Sequence, residues 1–253
     1  MRNARIQTDK IWQRDRKTRF SEFRDENRTE VSCAHALSGV RVVNADEHLL
    51  IFERNAKISS KAKEASGKKE MERVAWGITG SGDKIKETVE VMERLREKYE
   101  GKVEISVYLS KAGEKVARYY KLYERLREKF RSVHVEIDAN SPFLAGKLQT
   151  GKFVFLLVAP ATANTVAKIA VGIADTLITN ATLMALKAFV PVYIMPSDYK
   201  EGIITTVRPD GKPLKIRVRR EDVENVRKIA KMDGITVIEM PEDIPRVFEK
   251  HFG

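Results

Sequence analysis

The sequence predicts an α/β fold: a doubly wound parallel sheet in a three-layer αβα arrangement, with a small C-terminal hairpin-helix cap. Three observations predict it. From residue 72 onward, short apolar runs alternate with segments of helical period, the pattern of βαβ units. The run 153–159 shows no polar alternation, as a central parallel strand covered on both faces requires. Two strand exits, Gly77-Ile-Thr-Gly-Ser-Gly82 and Ala159-Pro-Ala-Thr-Ala-Asn-Thr165, carry small and hydroxyl residues and lead into helices.

Taken in order, residues 1–70 read differently from the rest. The stretch 9–30 is dense in charge, Val40-Arg-Val-Val43 and Leu49-Leu-Ile-Phe52 are short pieces able to pair as strands, and 59–70 is polar like a linker. Met71 stands directly before the first convincing strand. The expectation is a domain over 72–253, preceded by an extension over 1–70 that is either disordered or a mis-assigned start.

Residues 73–78 read as a first strand. Over 83–99, Ile85, Val89, Met92 and Leu95 recur on one helical face, and Gly101 ends that helix. A second strand follows at 103–109. A second helix at 113–130 sets Val116, Tyr120, Tyr123, Leu126 and Phe130 on one side, as core rather than as cofactor contacts. A third strand spans 133–137, and 138–152, with Asn140-Ser-Pro142, Gly146 and Gly151, reads as loop. After the central strand comes a helix over 165–189, broken at Gly172, and a fifth strand at 192–195. Segments 203–207 and 214–218, joined through Pro209-Asp-Gly-Lys-Pro213, make a hairpin. A helix at 222–232, a strand at 234–238 and a helix at 241–252 with Pro in its first turn complete the chain. Right-handed βαβ units of this kind build a Rossmann-like or flavodoxin-like sheet. Its ligands sit beyond the C-terminal strand ends, at a switch point.

Composition narrows the partners. With 253 residues the chain can bury a sizeable core. Its net charge of +11 comes from Lys and Arg interspersed with Asp and Glu, which reads as a solvated, ion-paired surface. No aromatic-and-basic RNA-binding signature accompanies it, so no nucleic acid is expected. The single cysteine, Cys33, excludes an intrachain disulfide and any Cys-based iron–sulfur or structural zinc site. No apolar run approaches the roughly 18 residues of a membrane span, and the N-terminus lacks an apolar signal core. A cytoplasmic protein is expected, with no metal and no membrane partner.

Chemistry concentrates in the two exits. In Gly77-Ile-Thr-Gly-Ser-Gly82, backbone N–H groups with the Thr79 and Ser81 hydroxyls can cradle a phosphate at a helix start. The loop is neither a P-loop nor G-x-G-x-x-G, and a plain tight turn is the alternative. Ser110 ends the second strand, where its hydroxyl can meet the same phosphate or cap a helix. In the second exit, small side chains let a flat ligand approach the backbone, and Asn164 offers a donor and an acceptor to a heterocycle edge. Helix capping by Thr162 or Asn164 is the alternative there. Asp175 reads as a helix cap, Lys168 as a residue able to reach an anionic ligand, and His134 as an ordinary strand residue.

Pro160-Ala-Thr-Ala-Asn-Thr-Val-Ala-Lys-Ile-Ala-Val-Gly-Ile-Ala-Asp175, with Gly77-Ile-Thr-Gly-Ser-Gly82 upstream, resembles the homo-oligomeric flavin-containing cysteine decarboxylase superfamily. That superfamily also holds flavin prenyltransferases, dipicolinate synthase B subunits and archaeal flavoproteins. The resemblance covers 72 to about 200 and implies FMN held between subunits of a homo-oligomer. It assigns the phosphate to Gly80, Ser81, Gly82 and Ser110. The isoalloxazine edge goes to Ala161, Thr162, Ala163, Asn164 and Thr165.

Departures choose among the branches. The decarboxylases place a His shortly before the central strand, where Gly146 stands here. Their Pro-Ala-Met-Asn after the next strand is Met195-Pro-Ser-Asp-Tyr199, and their flap Cys has no counterpart. Without a base or thiol, oxidative decarboxylation of a cysteinyl substrate lacks its chemistry. The prenyltransferases carry Lys in place of Asn164 and an Arg after the fifth strand that is absent here. The chain looks most like archaeal flavoproteins related to dihydromethanopterin reductase. The implied function is FMN-dependent electron transfer, from a ferredoxin-like donor to a small acceptor such as a dihydropterin. Lys212, Lys215, Arg217, Arg219, Arg220 and Arg227 offer docking for an acidic donor, or ordinary surface charge. A phosphopantothenoylcysteine decarboxylase-like enzyme and a flavin-free structural subunit are the alternatives.

Overall fold

A computed structural model of the chain describes residues 71–208 and 210–253. The expected extension over 1–70, with its short apolar pieces and Cys33, lies outside the described residues apart from the junction at Met71.

The strands are β1 (Glu72–Ile78), β2 (Val103–Leu109), β3 (Ser132–Val135), β4 (Phe155–Ala161), β5 (Val192–Pro196), β6 (Gly202–Val207), β7 (Pro213–Val218) and β8 (Ile235–Val237). The helices are α1 (Ile85–Lys98), α2 (Lys111–Tyr119), α3 (Tyr123–Lys129), α4 (Leu144–Gln149), α5 (Ala163–Ala170), α6 (Leu177–Lys187), α7 (Arg220–Ile229) and α8 (Ile244–Phe252). Six strands form one parallel sheet in the order β3-β2-β1-β4-β5-β8, and β6 and β7 form a separate antiparallel hairpin. This is the Rossmann order, with the crossover reversing between β1 and β4.

Strand alternation divides the core into two layers. On β4, Phe155, Leu157 and Ala159 join Trp76, Met92, Leu126 and Phe248 on one face. Leu156, Val158 and Ala161 join Leu148, Val166, Ile178 and Ile229 on the other. The aromatic face expected of the second helix is core: Leu126 and Phe130 are buried, with Tyr120 and Tyr123 packed against them.

Three expectations about element boundaries are corrected. The helix predicted over 113–130 is two helices, α2 and α3. Lys121 takes the left-handed conformation at φ +58° between them, and the Leu122 N–H bonds back to the Ala117 carbonyl at 2.8 Å. This helix end usually carries glycine, so a lysine there leaves no trace in the sequence pattern. The predicted loop 138–152 contains α4, too short to show a period. The break expected at Gly172 within 165–189 is present: it parts α5 from α6 (φ +77°), where the Ile173 N–H bonds to the Lys168 carbonyl. β4 does not end at Ala159; it runs through Pro160 to Ala161 with a shift of register against β5. A proline is tolerated where the ladder is already interrupted.

Candidate functional site

The C-terminal ends of β1, β2, β4 and β5 meet at the place where the strand order reverses. The two predicted exits are joined there by direct bonds. Thr79, just past β1, donates its backbone N–H and its hydroxyl to the Pro160 carbonyl at 3.2 and 2.9 Å. The same hydroxyl accepts the Thr162 N–H at 2.8 Å. Thr79 is thereby committed to holding the loops together, and its hydroxyl is not open to a phosphate.

Ser81 is buried on the same loop, and its Oγ accepts from Ser197 Oγ at 2.6 Å and from the Asp83 N–H at 3.2 Å. The N–H groups of Gly80 and Gly82 have no partner among the described residues. Gly80 lies against the start of α2, where an added Cβ would come within 2.7 Å of the Ala112 Cβ. Ser110 caps α2 by accepting the Gly113 N–H at 2.9 Å, so the capping role is formed while its hydroxyl proton stays available. At Gly113 a Cβ would run into the Ile78 carbonyl, so only glycine lets α2 start this close to β1.

On the second loop, Thr162 caps α5. Its Oγ1 accepts the Thr165 N–H at 3.2 Å and lies 3.0 Å from Thr165 Oγ1. Ala161 is buried within β4, Ala163 opens α5, and Asn164 is exposed with its amide free of any hydrogen bond to described residues. Of the two capping candidates, Thr162 does the capping, which leaves Asn164 open to a ligand.

Sequence reasoning missed three contributors. Ser197, past β5, spans both loops: its hydroxyl meets Ser81, and its N–H bonds to the Ala161 carbonyl at 2.9 Å. Asp198 follows, half-buried. Burial pushes the Asp198 carboxyl up from the usual range, with Asp222 and Asp83 adding to the effect. Burial likewise pushes Asp83 up, against the pull of Lys84. The third is Glu136, past β3. Its buried carboxylate accepts the Lys111 N–H at 2.9 Å and the Leu177 N–H at 3.0 Å, joining the first residues of two helices. The replacement of the decarboxylases' motif by Met195-Pro-Ser-Asp-Tyr199 was the one signal pointing to Ser197 and Asp198.

Other candidates resolve into structure. Thr176, not Asp175, caps α6, and Asp175 binds the Lys168 ammonium at 2.7 Å. Lys168 is therefore not free to reach a ligand. His134 stacks on Tyr108 at 4.8 Å between ring centres. Arg219 and Arg220 pair with Asp222 and Glu224, whereas Lys215 and Arg217 stand exposed on β7. Beside the junction, a cleft of about 260 Å³ opens between the sheet and the hairpin, lined in part by Asp83, Ser197, Tyr199 and Ile204. Among the described residues no group of His, Cys, Asp or Glu is arranged to hold a metal, and no helix is long and apolar enough to cross a membrane.

A sequence model of the flavoprotein family matches residues 62–245. The uncharacterized protein MJ0730 of Methanocaldococcus jannaschii is 53% identical, over 72% of this chain and 96% of its own length. A dihydromethanopterin reductase (acceptor) of the same organism is 31% identical over 70% of this chain and 95% of its own. Among solved structures, Burkholderia xenovorans DmrB in complex with FMN, described as a cubic protein cage for redox transfer, superposes with a TM-score of 0.59. It is 29% identical, over 71% of this chain and 94% of that one.

Proposed function

Because the chain belongs to the flavoprotein family, we propose that it is an FMN-dependent oxidoreductase, passing electrons from a low-potential, ferredoxin-like donor to a small acceptor such as a dihydropterin. The observation that carries this reading is the bonded junction of the two loops through Thr79, with open donors on both sides of it. The residues fit the cofactor. The free N–H groups of Gly80 and Gly82, with the hydroxyls of Ser81 and Ser110, suit a phosphate at the end of a sheet. Thr162 and Ala163, flanked by the buried Ala161 and Thr165, offer small, partly exposed side chains to a flat ring. The free amide of Asn164 can pair with a ring edge that both donates and accepts. Bound FMN supplies the electron transfer itself; the chain orients it and governs the charge around it.

Two relatives support the direction of the reaction. Both are dihydromethanopterin reductases (acceptor), one from M. jannaschii and one from Methanosarcina mazei that is 30% identical. Exposed apolar side chains follow β3 and α5. Ile137, Phe143, Val171 and Ile173 are 66%, 72%, 61% and 45% exposed. They flank the start of α6, to which Asn180 ties the Ala139 carbonyl at 2.9 Å. Such exposed apolar side chains suit burial against a second copy, in keeping with a homo-oligomer that holds FMN near its interface. Lys212, Lys215 and Arg217 are exposed cations of the hairpin without an ion pair among the described residues, and they suit an acidic protein donor.

The test begins with an absorption spectrum of the purified protein and release of its chromophore. Reduction by reduced ferredoxin is then compared with NAD(P)H, and a dihydropterin is offered as acceptor. A colourless protein that takes up no added FMN would overturn the proposal. Reduction by NAD(P)H but not by ferredoxin would overturn the choice of donor alone.

A further inference from the structure

Two buried serine hydroxyls at the junction of the loops each carry a proton that no described residue accepts. Ser81 and Ser110 are 8% and 9% exposed. A hydroxyl has one proton to give and two lone pairs to receive. At Ser81 both lone pairs are filled: the Asp83 N–H donates at 3.2 Å and Ser197 Oγ donates at 2.6 Å. Its own proton has no acceptor among the described residues. Ser110 Oγ receives the Gly113 N–H at 2.9 Å, and its proton likewise has none. The Ser110 N–H bonds to the Ile78 carbonyl at 3.0 Å, which sets the two serines on neighbouring strand exits. Buried donors without acceptors are rare and costly in a folded chain. Two of them, beside the open N–H groups of Gly80 and Gly82, call for an acceptor that the chain does not supply.

The two protons are directed by different means. Ser110 is fixed by the first turn of its own helix, α2. Ser81 is fixed by a residue 116 positions away, Ser197 past β5. The Ser197 N–H holds the Ala161 carbonyl at 2.9 Å, and its Oγ lies 3.1 Å from the same carbonyl. This anchors Ser197 to the end of β4 and leaves its hydroxyl donating to Ser81. The direction of that bond decides what Ser81 can do. Were Ser81 the donor, its proton would be spent on Ser197, and an arriving anion would meet a lone pair. With Ser197 donating, the Ser81 oxygen has no lone pair left and can only give.

We infer that Ser197 is a positioning residue for the flavin phosphate: it makes the Ser81 hydroxyl an obligatory donor to a phosphate oxygen. The inference rests on the functional reading above, in which Gly80, Ser81, Gly82 and Ser110 receive that phosphate. Ser197 acts through Ser81 and needs no contact with the ligand.

The test is the dissociation constant of FMN, read by quenching of flavin fluorescence, for the wild type, Ser81→Ala, Ser197→Ala and the double variant. Loss of a hydrogen bond to a charged group weakens binding roughly tenfold or more, the effect expected for Ser81→Ala. Ser197→Ala leaves the Ser81 hydroxyl free among three staggered positions, so FMN should bind at least about threefold more weakly. The double variant has no Ser81 proton left to direct, so it should bind FMN as Ser81→Ala does. FMN binding unchanged by Ser197→Ala, or losses that multiply in the double variant, overturn the inference. Riboflavin, which has the ring system and no phosphate, separates positioning from a merely structural role. Ser197→Ala should lower the ratio of FMN to riboflavin affinity, and equal losses for the two flavins overturn the inference. Should Ser197→Ala not fold, Ser197→Cys, a near match in size with only a weak donor, takes its place under the same criteria. A wild-type chain that takes up no FMN defeats the functional reading, whereas one that binds FMN with multiplying losses defeats only this inference.

Discussion

Replacing Glu136 by alanine removes a single side chain and unties two helices. Its carboxylate accepts the Lys111 N–H at 2.9 Å and the Leu177 N–H at 3.0 Å, and each donor opens its helix. A hydrogen bond to a charged group contributes about 1.5–3 kcal/mol. The Leu177 N–H is buried and has no water to turn to, so its loss costs the upper part of that range. The Lys111 N–H is only partly buried and recovers some solvation, so its loss costs the lower part. The sum for Glu136→Ala is about 3–5 kcal/mol. Glu136→Gln keeps one acceptor oxygen and turns an amide N–H₂ toward the other donor, so it should cost roughly half as much. Urea unfolding followed by far-ultraviolet circular dichroism, at one fixed protein concentration, gives both values. A loss below about 1 kcal/mol for Glu136→Ala would refute the reasoning, as would a glutamine variant as stable as the wild type.

Asn164→Ala should weaken FMN binding, read by quenching of flavin fluorescence, and leave thermal stability unchanged, because the side chain is exposed and makes no hydrogen bond to described residues. Thr162→Ala should instead cost about 1 kcal/mol of stability through loss of the α5 cap. Gly113→Ala should destabilise strongly, since its methyl meets the Ile78 carbonyl. Gly146→Ala on α4, with open space around it, should stabilise by about 0.5–1 kcal/mol. The same urea titrations separate the two. Burial, with Lys250 nearby, pushes the His251 imidazole below its ordinary value of about 6.5. The unfolded chain then binds the extra proton, so stability is full above that value and is lost as pH falls below it. His251→Phe, which preserves the packing on Phe155, should flatten the fall in unfolding midpoint between pH 7 and pH 5; an unchanged slope would remove His251 as its source.

The parts of this fold announced by chemistry at the sequence level were legible, and the parts set by tertiary contact were not. Gly172 marked the break between α5 and α6 because glycine is the usual residue in the left-handed position. Lys121 makes the same kind of turn between α2 and α3, held by the burial of Leu122, and nothing in its own chemistry signals it. At the site, the two loops stood out by their small and hydroxyl residues, and the structure bonds them together. The division of labour within them depended on partners from elsewhere. Thr79 looked like a phosphate ligand until Pro160 and Thr162 occupied it, and Thr162 and Asn164 were equal candidates for the cap. Ser197 and Glu136 bond to partners 25 to 116 residues away in sequence, so their roles depend on how the fold brings those segments together.

On the proposed reading of the two loops as grips for one ligand, the single oxygen of Thr79 bears on what the protein can accept. Because it ties the strand that leads to one grip to the strand that leads to the other, the span between them is a built-in ruler. A molecule with a shorter or longer arm between its flat end and its charged end would reach one grip and miss its fellow. Selection by length is then set by the framework before any side chain inspects the ring.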